Sequence, residues 1–505
     1  MNNLLPLGYG AWAFISVYLL SLLVIGWFAK KSRKENTLSD FYLAGKGLGL
    51  SVLFLTLFAT QYSGNTFFGF TGATYRVGYS WILSMHFMTS IVVCYLLFAP
   101  KLYRISKTQN FITPADYIQH RFNYKALSII ISIIGTVALS NYLLAQLMAM
   151  GRAMQGISAG GDIYYIGGVI ALATIIVIYG TMGGLRAVAW TDAIQGVVLL
   201  FGFSVLLIML FEKFGALSKA TEIIANMDQI NGTRKASVPD AQTCRTWLSY
   251  IIALGFSLSL YPQAIQRIYA AKSEKTLKKG LAVMAFMPMP TMIIAVIAGI
   301  FALAYIPGLE GAATDQVFGQ VLRVIQEYSI LGYGISILIL SAILAAMMST
   351  ADSALLTISS MFTKDIYTKF FNSPPSEKTL TLVGKFCSWG FLALLIILAI
   401  MLRDNTSLVK LIDRKIDLLI QVAPAFMIGI HFTWLKAKPV FWGIVCGLII
   451  ALVIPYLELD FISKGKVFGF HAGLVGLIPN LALSLIHISE PTRRTPISYA
   501  VFCLK

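Results

Sequence analysis

Residues 10–28 are mostly apolar, and the chain then breaks into the charged "AKKSRKE". The same alternation of long apolar runs and short polar connectors continues to about residue 482. Roughly 20 apolar residues cross the hydrocarbon core of a bilayer. About 13 runs of that kind can be drawn: 10–28, 50–75, 78–98, 125–149, 163–184, 190–212, 246–268, 280–305, 330–362, 379–402, 406–434, 439–458 and a shorter 467–482. Barrel strands would be short and would alternate between apolar and polar positions, and these runs do neither. The pattern predicts an all-α, polytopic membrane protein.

Two runs are interrupted midway. The second reads "LFATQYSGNTFFGFTG", with Gln61, Ser63, Gly64 and Asn65 at its centre. The seventh reads "LGFSLSLYPQAIQR", and its Gly, Ser and Pro residues predict unwinding around Gly255–Ser259. Backbone groups freed at membrane depth must line a cavity or be buried in protein. The two runs are five apart, so they cross in opposite directions. Paired broken helices in corresponding halves point to an inverted-repeat transporter with its site at the midplane. Two ordinary kinked helices are the alternative. The ninth run holds "AAMMSTADSALLTISSMF" (345–362), with Ser349, Thr350, Asp352 and Ser353 close together. An acid at that depth is costly and marks function by default.

Composition narrows the classes. Only 12% of the 505 residues are charged, yet the net charge is +17. The basic residues flank the apolar runs, so they read as topology signals rather than as a nucleic-acid surface. With the N-terminus outside, "AKKSRKE" and "AAKSEKTLKK" fall on the cytoplasmic side, where Lys and Arg are expected. The first run has no small-residue cleavage site and reads as a retained span. The five cysteines, Cys94, Cys244, Cys387, Cys446 and Cys503, form no close pair, and neither a disulfide framework nor a metal site is expected. There is no Walker motif, no HExxH and no phosphate-cradling glycine loop, so an enzyme is not expected, nor an organic cofactor. The longest outer loop, 213–245, contains an "NGT" that fits a glycosylation sequon, read here as a chance occurrence.

The tail "LSLIHISEPTRRTPISYAVFCLK" breaks the pattern. It resembles a reading-frame translation of a sequencing-library transposon end, adaptor and primer. Residues 1–482 are therefore read as one membrane domain whose native C-terminus continues further, and 483–505 as an artefact.

Four stretches carry a family resemblance: "DFYLAGKGLG" (40–49), "YGTMGGLRAVAWTDAIQG" (179–196), "YPQAIQRIYAAKS" (261–273) and "MSTADSALLTISSMFTKDIY" (348–367). With them the chain resembles the sodium/solute symporters, the family of proline, pantothenate, sugar and sialic acid transporters. The resemblance implies a five-plus-five inverted repeat with broken helices 2 and 7, and sodium-coupled import of a small polar solute across a bacterial inner membrane. It implies a sodium ion held by backbone carbonyls of Ala59, Tyr62 and Ala346 and by the hydroxyls of Ser349 and Thr350. A hard cation prefers such oxygen ligands. The same hydroxyls would also serve simply to bond back to carbonyls or to pack helices.

The solute would meet Gln61, Ser63, Asn65 and Thr66 at the first break, His86 in span three, Asn141 and Tyr142 in span four, and Tyr261 and Gln263 in span seven. These segments offer no Lys or Arg, so an anionic group would be held by amides, hydroxyls and helix N-termini. Asn65 and Thr66 stand where sugar transporters carry an acid and Gln, Thr136 where the sialic acid type carries Arg, and Gln61 where proline carriers carry Asp. Those three solutes are accordingly disfavoured, and an amino acid or carboxylate is expected. In some relatives a second sodium is bound by an acid and two hydroxyls aligned with Asp192, Asp352 and Ser353. Two nearby carboxylates call for a cation or a shared proton. Proton coupling through Asp352 or Asp192 is thus a rival reading, and a nutrient sensor with a missing signalling domain is a third.

Overall fold

The computed structural model describes residues 8–486, apart from 34, 36, 159–160, 371–374, 404–407, 458 and 464. The helices that form the bundle are α1 (Tyr9–Lys31), α2 (Leu50–Gln61), α3 (Gly64–Val77), α4 (Leu83–Gln109), α5 (Lys125–Ser158), α6 (Asp162–Gly183), α7 (Leu185–Phe214) and α8 (Ala241–Leu258). They continue as α9 (Pro262–Ala270), α10 (Glu274–Phe286), α11 (Pro288–Tyr305), α12 (Ile330–Met361), α13 (Glu377–Met401), α14 (Leu408–Leu419), α15 (Ala437–Val453) and α16 (Ala472–Ile486). Among the described residues, nine helices are long and apolar enough to cross a membrane, and the bent pair α8–α9 makes a tenth. The fold is the expected all-α, polytopic one. The count of about 13 is higher than this because several runs fold as shorter pieces.

Side chains at the helix starts explain where the spans begin. Ser329 accepts from the Gly332 N–H at 3.0 Å to open α12, and Ser376 accepts from the Thr379 N–H at 3.2 Å to open α13. Such caps satisfy donors that a helix start leaves orphaned. Asp240 does the same for α8 through the Thr243 N–H at 2.8 Å, and that bond holds its carboxyl below the usual carboxylate range.

The first break falls where it is expected. α2 stops at Gln61, Tyr62 is extended, and Ser63 opens α3 in a reciprocal capping box with Thr66. Serine side chains compete for backbone bonds and so favour caps over helix interiors. The second break lies later than Gly255–Ser259. Ser257 and Ser259 bond back to the Ala253 and Gly255 carbonyls at 2.6 and 2.8 Å, and the helix persists to Leu258. Pro262 sets the break instead, sitting in the first turn of α9 after a 52° bend. Proline fits a first turn and disfavours helix before it. Gly255 has another use: a Cβ there would come within 2.8 Å of the Ser90 hydroxyl on α4.

α12 is the central post. It is buried almost throughout from Ile335 to Met361 and packs on α5 and α7. α2 packs on α7, and α3 on α11. Two predicted spans change form. Run 406–434 keeps α14 but passes into 3-10 and π turns from Ile420 to Ile428, around Pro424. Run 467–482 begins as a small antiparallel sheet, Ile462–Ser463, Lys466–Val467 and Phe470–His471, before α16 starts at Ala472. His471 docks this sheet on α8 through Ser249, with Nδ1 2.8 Å from the hydroxyl. Of the expected artefact, residues 487–505 lie outside the described residues. Residues 483–486 finish α16, where Ser484 is buried and donates to Asn480 Oδ1 at 3.3 Å.

Candidate functional site

Two polar clusters occupy the middle of the bundle, and the hydroxyl pair of α12 stands between them. The first is built on Asp192 of α7, which is fully buried. Its Oδ2 accepts from Arg267 Nη2 of α9 at 3.0 Å and from the Thr56 hydroxyl of α2. Its Oδ1 accepts from the Ser349 hydroxyl of α12. Arg267 is 1% exposed and uses its whole fork. Nε donates to Thr56 Oγ1 at 2.8 Å, Nη1 to the Gln263 carbonyl at 3.1 Å, and Nη2 also to Ser353 Oγ at 2.7 Å. Ser353 in turn donates to Asp352 Oδ1 at 3.3 Å, and Tyr179 of α6 donates to Asp352 Oδ2 at 2.5 Å. Asp192, Ser353 and Asp352 are thus joined in one continuous network, with Arg267 between the two acids.

The network follows from helix periodicity. Ser349, Ser353 and Thr357 recur every four residues and share a face of α12. On α9, Gln263, Gln266 and Arg267 share the facing side, and Thr357 donates to Gln266 Oε1 at 2.7 Å. Arg267 lies outside the predicted set, and its burial corrects the expectation that these segments offer no Lys or Arg. The signal was available: an Arg four residues after Gln263, within a half-helix, cannot snorkel to the surface as one at a span end can.

The second cluster lies at the two breaks. Gln61 ends α2, and its Nε2 donates to the Tyr95 hydroxyl of α4 at 2.7 Å. Tyr142 of α5 stacks on Tyr261 of the second break, ring centroids 5.5 Å apart. The Tyr142 hydroxyl faces Ser63 and Thr350. Gln61 Oε1, the Tyr261 hydroxyl and both amide atoms of Gln263 are buried with no hydrogen-bond partner among the described residues. Buried polar groups are normally paired, so these four atoms keep hydrogen-bonding capacity for a polar guest or water. Lys415 of α14 sits over this cluster: its ammonium is 3.5 Å from the Tyr142 ring centroid and 5.4 Å from that of Tyr261. The predicted set contained no residue of α14.

Of the other expected residues, Thr66 is buried and accepts its capping bond from Ser63 N. The side chain of Asn65 lies outside the described residues. Asn141 is half-buried, one position and about 100° round the helix from Tyr142. His86 is not part of the cluster. It is exposed on α4 and stacks on Trp247, 6.4 Å between centroids. His86 is one position, about 100° round the helix, from the buried Phe87.

The hydroxyls and carbonyls of the expected ion site adjoin both clusters. Thr350 donates to the Ala346 carbonyl at 3.0 Å. Ala59 belongs to the last turn of α2, whose carbonyls have no continuing helix to bond, and Tyr62 is the extended residue that follows it. Ser349 turns its hydroxyl to Asp192, one position before Thr350, which faces Tyr142. Adjacent residues of one helix therefore serve the two clusters.

A family model described as the sodium:solute symporter family matches residues 41–447. The osmoregulated proline transporter OpuE of Bacillus subtilis (strain 168) is 27% identical over 503 residues, covering 97% of this chain and 96% of that protein. The sodium/pantothenate symporter of Haemophilus influenzae (strain ATCC 51907 / DSM 11121 / KW20 / Rd) is 27% identical over 464 residues, 90% of each chain. Among solved structures, a Na+-coupled sialic acid symporter in a substrate-bound outward-open state superimposes with a TM-score of 0.76. It is 21% identical, over 95% of this chain and 97% of that one.

Proposed function

The chain belongs to the sodium:solute symporter family, a family of secondary transporters rather than enzymes, and from that premise we propose that it imports a small polar solute, an amino acid or carboxylate, by sodium-coupled alternating access. The bacterial plasma membrane and an outside N-terminus complete the proposal. The relatives named as a proline transporter and a sodium/pantothenate symporter support the solute class.

One observation carries the reading. Gln61 Oε1, the Tyr261 hydroxyl and the Gln263 amide, buried with no hydrogen-bond partner among the described residues, gather where two helices are broken. Breaks at membrane depth expose backbone donors and acceptors that suit a solute and an ion. In this reading the solute meets those three residues with Tyr142. Sodium, the co-transported ion, is held by the Ala59, Tyr62 and Ala346 carbonyls and by Ser349 and Thr350. Tyr142 couples the two, because its ring belongs to the solute cluster while its hydroxyl faces Thr350. An ion that fixes Thr350 would thereby fix one wall of the solute site.

A second reading concerns Asp192 and Asp352. A cation other than sodium already stands between them, the Arg267 guanidinium. That favours a transferable proton on Asp352, whose Oδ2 accepts from Tyr179, over a second sodium ion. Proteoliposomes with sodium and proton gradients imposed separately test both readings. Uptake of labelled L-proline or pantothenate driven by sodium alone supports the first. Uptake driven only by protons would replace it, and no gradient dependence at all would remove symport.

A further inference from the structure

We propose that the chain carries a site for an anionic phospholipid where α1 ends and α7 begins, with the headgroup in a polar cavity and an acyl chain in an apolar slot beside it. None of the residues that wall it belongs to the ion or solute clusters.

Two cavities meet there. The first, about 440 Å³, is walled in part by Thr37, Ser39, Asp40, Gly49 and Arg186. The second, about 390 Å³, is a slot walled by Ile25 and Phe28 of α1 and by Ala193 and Ile194 of α7, all apolar. Trp190 lines both, and it is half-buried, so its ring forms the seam between them. An indole has an apolar body and a polar N–H, and tryptophans concentrate at the depth of lipid headgroups for that reason. Phe28 and Ile194 are exposed on the surface that would face hydrocarbon. A polar cavity beside an apolar slot matches an amphiphile. A water-soluble anion would leave the slot unused, and a wholly apolar molecule would leave the cavity unused.

The charges select the headgroup. Arg186 and Arg33 share Asp40, with N···O distances of 2.8 and 3.3 Å. One carboxylate between two guanidiniums leaves a positive surplus. Lys30 and Lys31 end α1 at the same corner, and Arg33 and Lys385 of α13 both stand over the Phe41 ring, at 5.3 and 5.4 Å. Against these stand Glu35, exposed at the rim, and Glu377, whose Oε2 already accepts from Leu38 N at 3.0 Å. Cations outnumber acids in this set. A phosphodiester accepts hydrogen bonds and donates none, which suits a wall of guanidinium and hydroxyl donors. In the orientation proposed above this corner is cytoplasmic, the side on which basic pockets between spans take anionic lipid headgroups.

The cavity stays open at Gly49. A Cβ there would meet nothing within 4 Å, and the backbone is extended, a conformation any residue adopts. Gly49→Leu therefore fills the cavity at little cost to the fold, and Ala193→Phe does the same for the slot.

The test is native mass spectrometry of the purified full chain in detergent. It is titrated with phosphatidylglycerol and phosphatidylcholine of identical acyl chains, with glycerol 3-phosphate as a competitor that has no chains. The wild type should hold one phosphatidylglycerol about tenfold or more tighter than phosphatidylcholine, the scale of one or two cations near a headgroup. Gly49→Leu and Ala193→Phe should each remove that tight site, and Ile170→Phe, on the exposed face of α6, should keep it. Lys30→Gln with Lys31→Gln alters only exposed side chains, so it tests the charge without risk to the core. It should lower the preference at least about threefold. Equal binding of the two lipids by the wild type overturns the proposal, as does an unchanged preference in the double lysine variant. So does survival of the tight site in either filled variant. Displacement of the lipid by equimolar glycerol 3-phosphate also overturns it, in favour of a site for soluble anions.

Discussion

Replacing Arg267 with Met should destabilise the protein more than any change of similar size on the bundle surface. The substitution keeps most of the stem volume and removes the guanidinium. Asp192 would retain the Thr56 and Ser349 hydroxyls but lose the only cation the structure gives it among the described residues. Both partners of the ion pair are at most 1% exposed, so solvent cannot compensate. Removing one member of a buried ion pair costs about 3–5 kcal/mol, most of it the burden of the stranded charge. Asp192→Asn alone strands the guanidinium at a comparable cost. The double variant strands neither, and buried pairs replaced together are often close to neutral. A double-mutant cycle, read by SDS-titrated unfolding in mixed micelles, should therefore give a favourable coupling of at least about 2 kcal/mol. Additivity of the two single changes within about 0.5 kcal/mol would refute the argument. It would mean that Asp192 is neutral in the folded protein or that water reaches the pair.

Three further outcomes are expected. Ser349→Ala with Thr350→Ala should strongly raise the sodium concentration needed for uptake in a protein that remains folded, because only two hydroxyls are lost; unchanged sodium dependence of labelled solute uptake would count against the ion site. Asp352→Asn should alter the sodium stoichiometry or the pH dependence of uptake while leaving the Ser349 site working, and Tyr179→Phe should move the same observable in the same direction, since its hydroxyl bonds Asp352 at 2.5 Å. Amplifying the genomic locus independently should return a different sequence after residue 482, and recovery of the same residues would make the tail native.

How much of this could be read in the residues varies with the physics behind each feature. Spans are legible because bilayer thickness imposes one length on all of them. The first break is legible because Ser63, Gly64 and Asn65 act locally. The second was drawn too early, since Ser257 and Ser259 bond within their own helix and only Pro262 ends it. Run 467–482 reads as one span because hydropathy does not distinguish a small sheet from the helix it leads into. Arg267 and Lys415 were missed for a different reason. A cation's burial is decided by what the other helices bring to it, here Asp192 from α7 and Tyr142 from α5, and neither is near it in the chain. His86 failed in the reverse way: an imidazole inside an apolar run looks buried until the helix's facing is known.

The Arg267 fork also has a mechanical meaning. It hangs from the half-helix after the second break and grips α2, α7 and α12 at one point. The bend of 52° lies only a few residues before it. A swing of the preceding half-helix can be taken up at that bend without disturbing the grip. Sliding of the gripped half past the central post has to break bonds to Ser353 and Asp192 or drag α7 along. The guanidinium is thus a fulcrum: the arm before the bend can turn about it, and the arm after the bend travels only with its anchors.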